Sequence, residues 1–136
     1  MTAGYSGTPL PRKLGIKPGH RVLVLAAPDE FEQTTLGELP DGVTVGRRAS
    51  GKADVIVSFH TARADLARRM PKLRELMEPA AGLWIAWPKR AAKVLTDLTE
   101  DVVRELALAN ALVDNKVAAI DERWSGLRLV IRLRDR

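Results

Sequence analysis

Three apolar runs organise the chain: residues 20–26 (HRVLVLA), 53–59 (ADVIVSF) and 83–87 (LWIAW). Each is short, rich in β-branched residues or Leu and bounded by turn residues, which is the pattern of strands buried on both faces of a parallel sheet. Between the first two, Phe31 to Leu39 predicts a short helix stopped by Pro40-Asp41-Gly42, and Val43 to Val45 a brief strand. From Thr61 to Glu78 the apolar positions Leu66, Met70, Leu73 and Met77 recur at helical spacing, with Arg63, Arg68, Arg69, Lys72 and Arg74 on the other faces. Pro71 inside this pattern predicts a kink, or two helices meeting there. Pro79-Ala80-Ala81-Gly82 reads as a turn into the third run. A polar loop then runs from Pro88 to Leu98, followed by a helix from about Thr99 to Leu112. Thr99 is its expected N-cap, Glu100 and Asp101 favour its positive end, and Val102, Leu106 and Ala109 form its packing stripe. Lys116 to Ile120 and Leu127 to Leu133 predict an antiparallel pair joined through Asp121 to Gly126, with Trp124 in the turn closing the sheet edge.

Strand and helix alternate and the three main strands are apolar, so the expected architecture is α/β: a three-layer, mostly parallel sheet with helices on both faces and an antiparallel strand near the C-terminus. Residues 1–19, punctuated by Gly and Pro, read as an extended N-terminal arm that supplies no core element alone, and 20–136 as a single domain. The second strand strains this picture. Seven residues separate Val45 from Ala53, a reach of about 25 Å at most, which leaves no room for a helical crossover. That strand is either at an edge, returning through bare coil, or antiparallel.

Composition narrows the chemistry. The chain has 136 residues and no cysteine, so disulfides, thiolate zinc sites and cysteine nucleophiles are excluded. Two histidines, His20 and His60, cannot build a three-histidine metal site. No apolar run approaches the roughly 18 residues of a membrane span, and the first 15 residues lack the apolar core of a secretory signal, which predicts a cytoplasmic protein. The net charge of +5 is uneven, because residues 1–28 carry Arg12, Lys13, Lys17 and Arg21 and no acid. The rest is nearly balanced, as a solvated surface is, so the charge disfavours a nucleic-acid partner without removing it.

Lys17-Pro18-Gly19 followed by His20 to Leu25 resembles the lead-in to the first strand of class I methyltransferases. Ala53 to Val57 resembles their fourth strand, Leu76 to Leu83 the helix, turn and fifth strand, and the closing pair their last two strands. The resemblance implies a Rossmann-like fold reduced by one helix and one strand. It also exposes departures. Where those enzymes bring a glycine loop against S-adenosylmethionine, this chain has Ala26-Ala27-Pro28-Asp29-Glu30-Phe31, and where an acid would bind ribose it has Arg47 and Arg48. The usual cofactor site is absent, and no cofactor is expected. More specifically, Tyr5-Ser6-Gly7-Thr8-Pro9-Leu10, Lys13 to Gly19, Leu83 to Lys89, Thr96 to Arg104, Val113 to Val117 and Ile120 to Arg128 are similar to a family of small, mainly actinobacterial proteins described as a domain of unknown function. That likeness implies a bacterial source and brings no activity.

Ligands of open α/β sheets bind beyond the carboxyl ends of the strands. Those ends supply Asp29, Ser58, His60, Trp87, Lys89 and Arg90. Trp87 suits stacking on a planar group, Lys89 and Arg90 suit a phosphate or carboxylate, and His60 with Asp29 suits acid–base work. Each also has a purely structural reading: Trp84 and Trp87 as core residues on opposite faces, His60 as a satisfied helix-entry histidine, Lys89, Arg90 and Lys93 as solvated surface, and Asp97 with Thr96 and Thr99 as the organiser of a turn. Ser58 lacks the Gly-x-Ser-x-Gly elbow, and Gly51-Lys52 is no phosphate loop. The leading expectation is a non-catalytic binding or regulatory module whose ligand site, Asp29, His60, Trp87, Lys89 and Arg90, takes an anionic small molecule or an acidic protein partner. The alternatives are a divergent transferase using His60 and Asp29, and a weak nucleic-acid binder. The arm leaves a homodimer open.

Overall fold

The computed structural model describes residues 7–136, so the first part of the predicted arm, including Tyr5-Ser6, lies outside the described residues. Among the described residues six strands form one sheet: β1 (Arg21–Leu25), β2 (Thr44–Gly46), β3 (Ala53–Phe59), β4 (Met77–Pro88), β5 (Leu112–Ala119) and β6 (Trp124–Ile131), in the order β2-β1-β3-β4-β6-β5. The β2, β1, β3 and β4 pairings are parallel, and β6 lies antiparallel between β4 and β5. The expected architecture is therefore the observed one.

Alternation along the strands divides the core in two. Leu23, Leu25, Ile56, Leu83, Ile85 and Trp87 face α2 (Arg63–Glu75) and α3 (Glu100–Ala109). Val22, Val24, Val55, Val57, Phe59 and Trp84 face the other way, against α1 (Leu10–Leu14) and a π-helical turn at Phe31–Leu36. The two tryptophans thus take opposite faces, as period-two side-chain direction requires.

The second strand is the edge strand, parallel to β1, and its return is bare coil. Arg21 holds that coil in place. Its guanidinium donates to the carbonyls of Lys52 and Ser50, both at 2.8 Å, while its backbone N–H donates to Asp54 Oδ2 at 2.8 Å. Gly51 sits directly above the guanidinium with φ of +77°, a backbone that a side chain would strain.

Several local expectations give way to tertiary context. The segment Leu10–Leu14 is helical rather than extended, and Leu10, Leu14 and Ile16 are buried against the chain's own sheet. The Leu14 carbonyl accepts the indole N–H of Trp84 at 3.1 Å, which fixes the arm over the sheet centre. The segment after Phe31 ends at Leu36 and is wound as a π-helix. Pro71 breaks nothing: α2 is continuous from Arg63 to Glu75. Pro71 and Ala67 are both exposed, so the carbonyl that Pro71 cannot satisfy faces solvent. Pro79 to Gly82 is not a turn but a bulge within β4, whose register against β3 jumps between Ala53↔Met77 and Val55↔Gly82. In α3 the buried stripe is Val103, Leu106 and Ala107, with Ala109 exposed. Trp124 begins β6, an interior strand, and packs edge-on against Phe59 with ring centroids 5.0 Å apart, so it closes no sheet edge. The turn before it is held by Asp121 Oδ1, which accepts from the N–H groups of Arg123 and Trp124.

Candidate functional site

The chain reverses its direction of spread at β1, with β2 on one side and β3 on the other, so the carboxyl ends of β1, β3 and β4 form the edge at which open sheets take ligands. The structure places all five candidate residues along that edge but does not bring them into one cavity.

Trp87, Lys89 and Arg90 share a cleft of about 550 Å³ at the end of β4. Trp87 is buried in the α2–α3 core and its remaining surface lines the cleft beside Leu98, Thr99 and Ser125. The Lys89 N–H donates to the Arg123 carbonyl at 2.8 Å, and Arg90–Ala92 form one tight turn, so the two cations project from a fixed backbone. Neither side chain makes an ion pair among the described residues. The start of α3 opens on the same cleft. Its N-cap is Thr99, whose Oγ1 accepts from the Val102 N–H at 3.2 Å. Glu100 lines the cleft as well, its carboxylate paired with Arg104 at 2.6 Å rather than with Lys89 or Arg90.

Asp29 lies elsewhere, in a cavity of about 380 Å³ formed by the loop after β1 and Arg47. Here Arg47 forks onto the Glu32 carboxylate, with Nε to Oε2 at 2.7 Å, and this pairing raises the arginine's affinity for its proton. Ala26 and Glu30 hold φ of +57° and +67°, left-handed conformations that glycine adopts freely and other residues adopt at a cost.

His60 lines neither cavity. It is buried, with Nδ1 2.8 Å from Asp65 Oδ2 and Nε2 2.7 Å from Ser58 Oγ. Its carboxylate partner is therefore Asp65 from the first turn of α2, not Asp29. Facing a carboxylate, Nδ1 carries the proton, and Nε2 accepts from the serine hydroxyl. Burial lowers the His60 pKa, against the pull of Asp65, so the ring is neutral. Asp65 is itself held below the ordinary carboxylate range, first by its hydrogen bond to His60 and further by the charges of Arg69 and Arg68. Ser58 is only 2% exposed, so this chain of three groups is wired like a nucleophile relay but offers its oxygen to no substrate.

The loop after the cleft is tied across to α2. Thr96 donates to the Thr61 carbonyl at 2.6 Å, and Asp97 accepts from the Arg63 N–H at 2.7 Å, capping a helix whose own N-cap, Ala62, has no acceptor. Asp97 thus organises the second helix rather than the turn beside it. Sequence reasoning missed Asp65 and Glu32. The spacing His60-x4-Asp65 at a predicted helix start was the available signal for the first. Nothing local announced the second, because Glu32 and Arg47 meet only through the β1–β2 pairing. Among the described residues no group of three or more His, Asp or Glu stands close enough to hold a metal.

No protein-family model matches the chain, and neither does any sequence among the curated proteins. Solved structures share its fold. A SAM-dependent methyltransferase from Aquifex aeolicus superposes with a TM-score of 0.61 at 17% identity, over 89% of this chain and 87% of that one. The fibrillarin pre-rRNA processing protein of Methanococcus jannaschii gives 0.58 at 13% identity, over 91% and 69%. Magnesium protoporphyrin IX methyltransferase from Synechocystis, solved with bound SAM, gives 0.57 at 12% identity, over 85% and 71%. At such identities the likeness establishes a methyltransferase-like Rossmann fold and nothing of the chemistry.

Proposed function

We propose that the chain is a non-catalytic binding or regulatory module of the bacterial cytoplasm, built on a methyltransferase-like scaffold, that holds an anionic small molecule in the cleft at the end of β4. The observation that carries this reading is the pair Lys89 and Arg90, set on a fixed turn over Trp87 and beside the start of α3, with no carboxylate neutralising either among the described residues. An anion there gains two charge-assisted contacts. Trp87 supplies an apolar wall for the ligand's body. An acidic segment of a partner protein offers the same chemistry, but the concave shape favours a small molecule.

Two features speak against transfer chemistry. The loop after β1 carries side chains and a proline where close backbone approach to a cofactor needs glycine, and Arg47 with Glu32 forms a closed ion pair across that cavity. A divergent transferase remains the second reading, favoured by Ala26 and Glu30, which keep the left-handed backbone that glycines would supply. Calorimetric titration with S-adenosylmethionine and S-adenosylhomocysteine separates the two. The binding-module reading expects no saturable heat, and stoichiometric binding of either compound would establish the transferase reading in its place.

A further inference from the structure

On the opposite face of the sheet, α1 meets β5 and β6 around a recess of about 230 Å³ lined by Arg12, Lys13, Gly15, Asn115, Lys116 and Arg128. Four of these six residues are cations and none is an acid. Arg12, Lys116 and Arg128 make no ion pair among the described residues. Arg12 and Lys13 have an ordinary account, since both sit in the last turn of α1, at its negative end. Lys116 and Arg128 have none. They are direct cross-strand partners in the β5–β6 ladder, and like charges so placed repel.

Two backbone devices build this unfavourable arrangement. The register of β5 against β6 shifts between Asp114 and Lys116, leaving Asn115 as the extra residue of a bulge. Bulges re-aim side chains, and here Asn115 Oδ1 accepts from Arg128 Nη1 at 3.3 Å while Lys116 lines the recess beside it. The second device is Gly82 on β4. A Cβ built there would stand 2.5 Å from Arg128 Nε and 2.9 Å from Cζ, so the guanidinium lies in the notch that the missing side chain leaves. Burial and the charge of Arg136 both press on Arg128 and lower its pKa, which is the signature of a cation held where no counter-charge awaits it. Lys116 Nζ donates to the Lys13 carbonyl at 3.2 Å, tying the α1 side of the recess to β5.

We propose that this recess is an anion site for a phosphate-bearing small molecule, gripped by Arg12, Lys116 and Arg128. A phosphate or pyrophosphate group relieves the Lys116–Arg128 repulsion and matches the planar donors of two arginines. A recess of about 230 Å³ has room for such a group. The site stands on the face away from Lys89 and Arg90 and does not depend on the reading of that cleft.

The test is calorimetric titration of the full chain with pyrophosphate and with inorganic phosphate at low ionic strength, on the wild type, K116M, R128M and the double variant K89M/R90M. In K89M/R90M, where the other cleft no longer contributes, saturable one-to-one pyrophosphate binding is expected to persist, and K116M or R128M added to that background weakens it about tenfold or more. K116M guards against loss of packing at Arg128, because Lys116 is exposed. Absence of saturable binding, or binding in that background that survives both K116M and R128M, overturns the proposal. So does binding lost only in K89M/R90M, which assigns the anion to the other cleft. A single-stranded oligonucleotide that binds through Lys116 and Arg128 with steep salt dependence, and that pyrophosphate does not displace, overturns the small-molecule assignment in favour of a nucleic-acid backbone.

Discussion

The imidazole Nδ1 of His60 lies 2.8 Å from the carboxylate of Asp65, five residues further along the chain. The bond joins the end of the central strand β3 to the first turn of α2 and orients a buried neutral ring. It also makes the fold sensitive to acid. In the unfolded chain His60 titrates near 6.5, whereas burial lowers its pKa in the folded state. The folded protein therefore binds fewer protons than the unfolded one just below pH 6.5, and stability falls as pH falls through that window. The lowered Asp65 pKa adds a second loss below its ordinary value of 3.8. Urea unfolding at a series of pH values is expected to show both declines, and replacement of His60 by Gln is expected to remove the first.

Ser58→Ala removes the hydroxyl that satisfies His60 Nε2 inside the core. Leaving a buried acceptor without a partner costs about 1–3 kcal/mol, which denaturant melts will show as a lower midpoint. Fluorophosphonate labelling is expected to leave Ser58 unmodified in the native protein, because its side chain is buried within the sheet. Stoichiometric labelling would instead make the Ser58–His60–Asp65 chain a working nucleophile.

Gly82→Ala drives a Cβ into the Arg128 guanidinium. The flexible guanidinium swings out of its notch, so the expected outcome is weaker pyrophosphate binding with little loss of stability. Thermal unfolding and calorimetry of the same variant check the two effects together.

The helix starts are capped in two ways, and the variants differ accordingly. Thr99→Ala removes a local cap and costs about 1 kcal/mol, while Asp97→Ala removes a cap supplied across 34 residues of chain. The second loss also frees the loop from Lys93 to Leu98 from α2. Amide exchange is therefore expected to rise through that loop in Asp97→Ala but to stay near the helix start in Thr99→Ala.

The fold was legible where burial is total. The Ala53–Phe59 strand carries the β-branched run Val55-Ile56-Val57, and its observed bounds are the predicted ones. Thr99 as N-cap was equally readable, since a cap is a local hydrogen bond. Legibility failed where a distant partner decides the outcome. Pro79 to Gly82 has turn composition, yet β3 pairs with β4 at Met77 and again at Gly82 and keeps the segment between them in the strand. Leu10 to Leu14 offers too little for a helix alone and becomes one beneath Trp84. At the site, the strand ends put the five residues along one sheet edge but gave no sign of its division into separate clefts. That division depends on Arg47 reaching Glu32 and on His60 turning inward to Asp65. The recess at Arg128 left no local trace, because it takes a glycine on β4, a bulge on β5 and a helix from the arm to make it.

Native mass spectrometry of the chain purified from its own host, beside K89M/R90M prepared identically, tests the central claim most directly. The account predicts an organic anion retained by the wild type and lost from K89M/R90M. A mass increment of S-adenosylmethionine or S-adenosylhomocysteine that persists in K89M/R90M would contradict it.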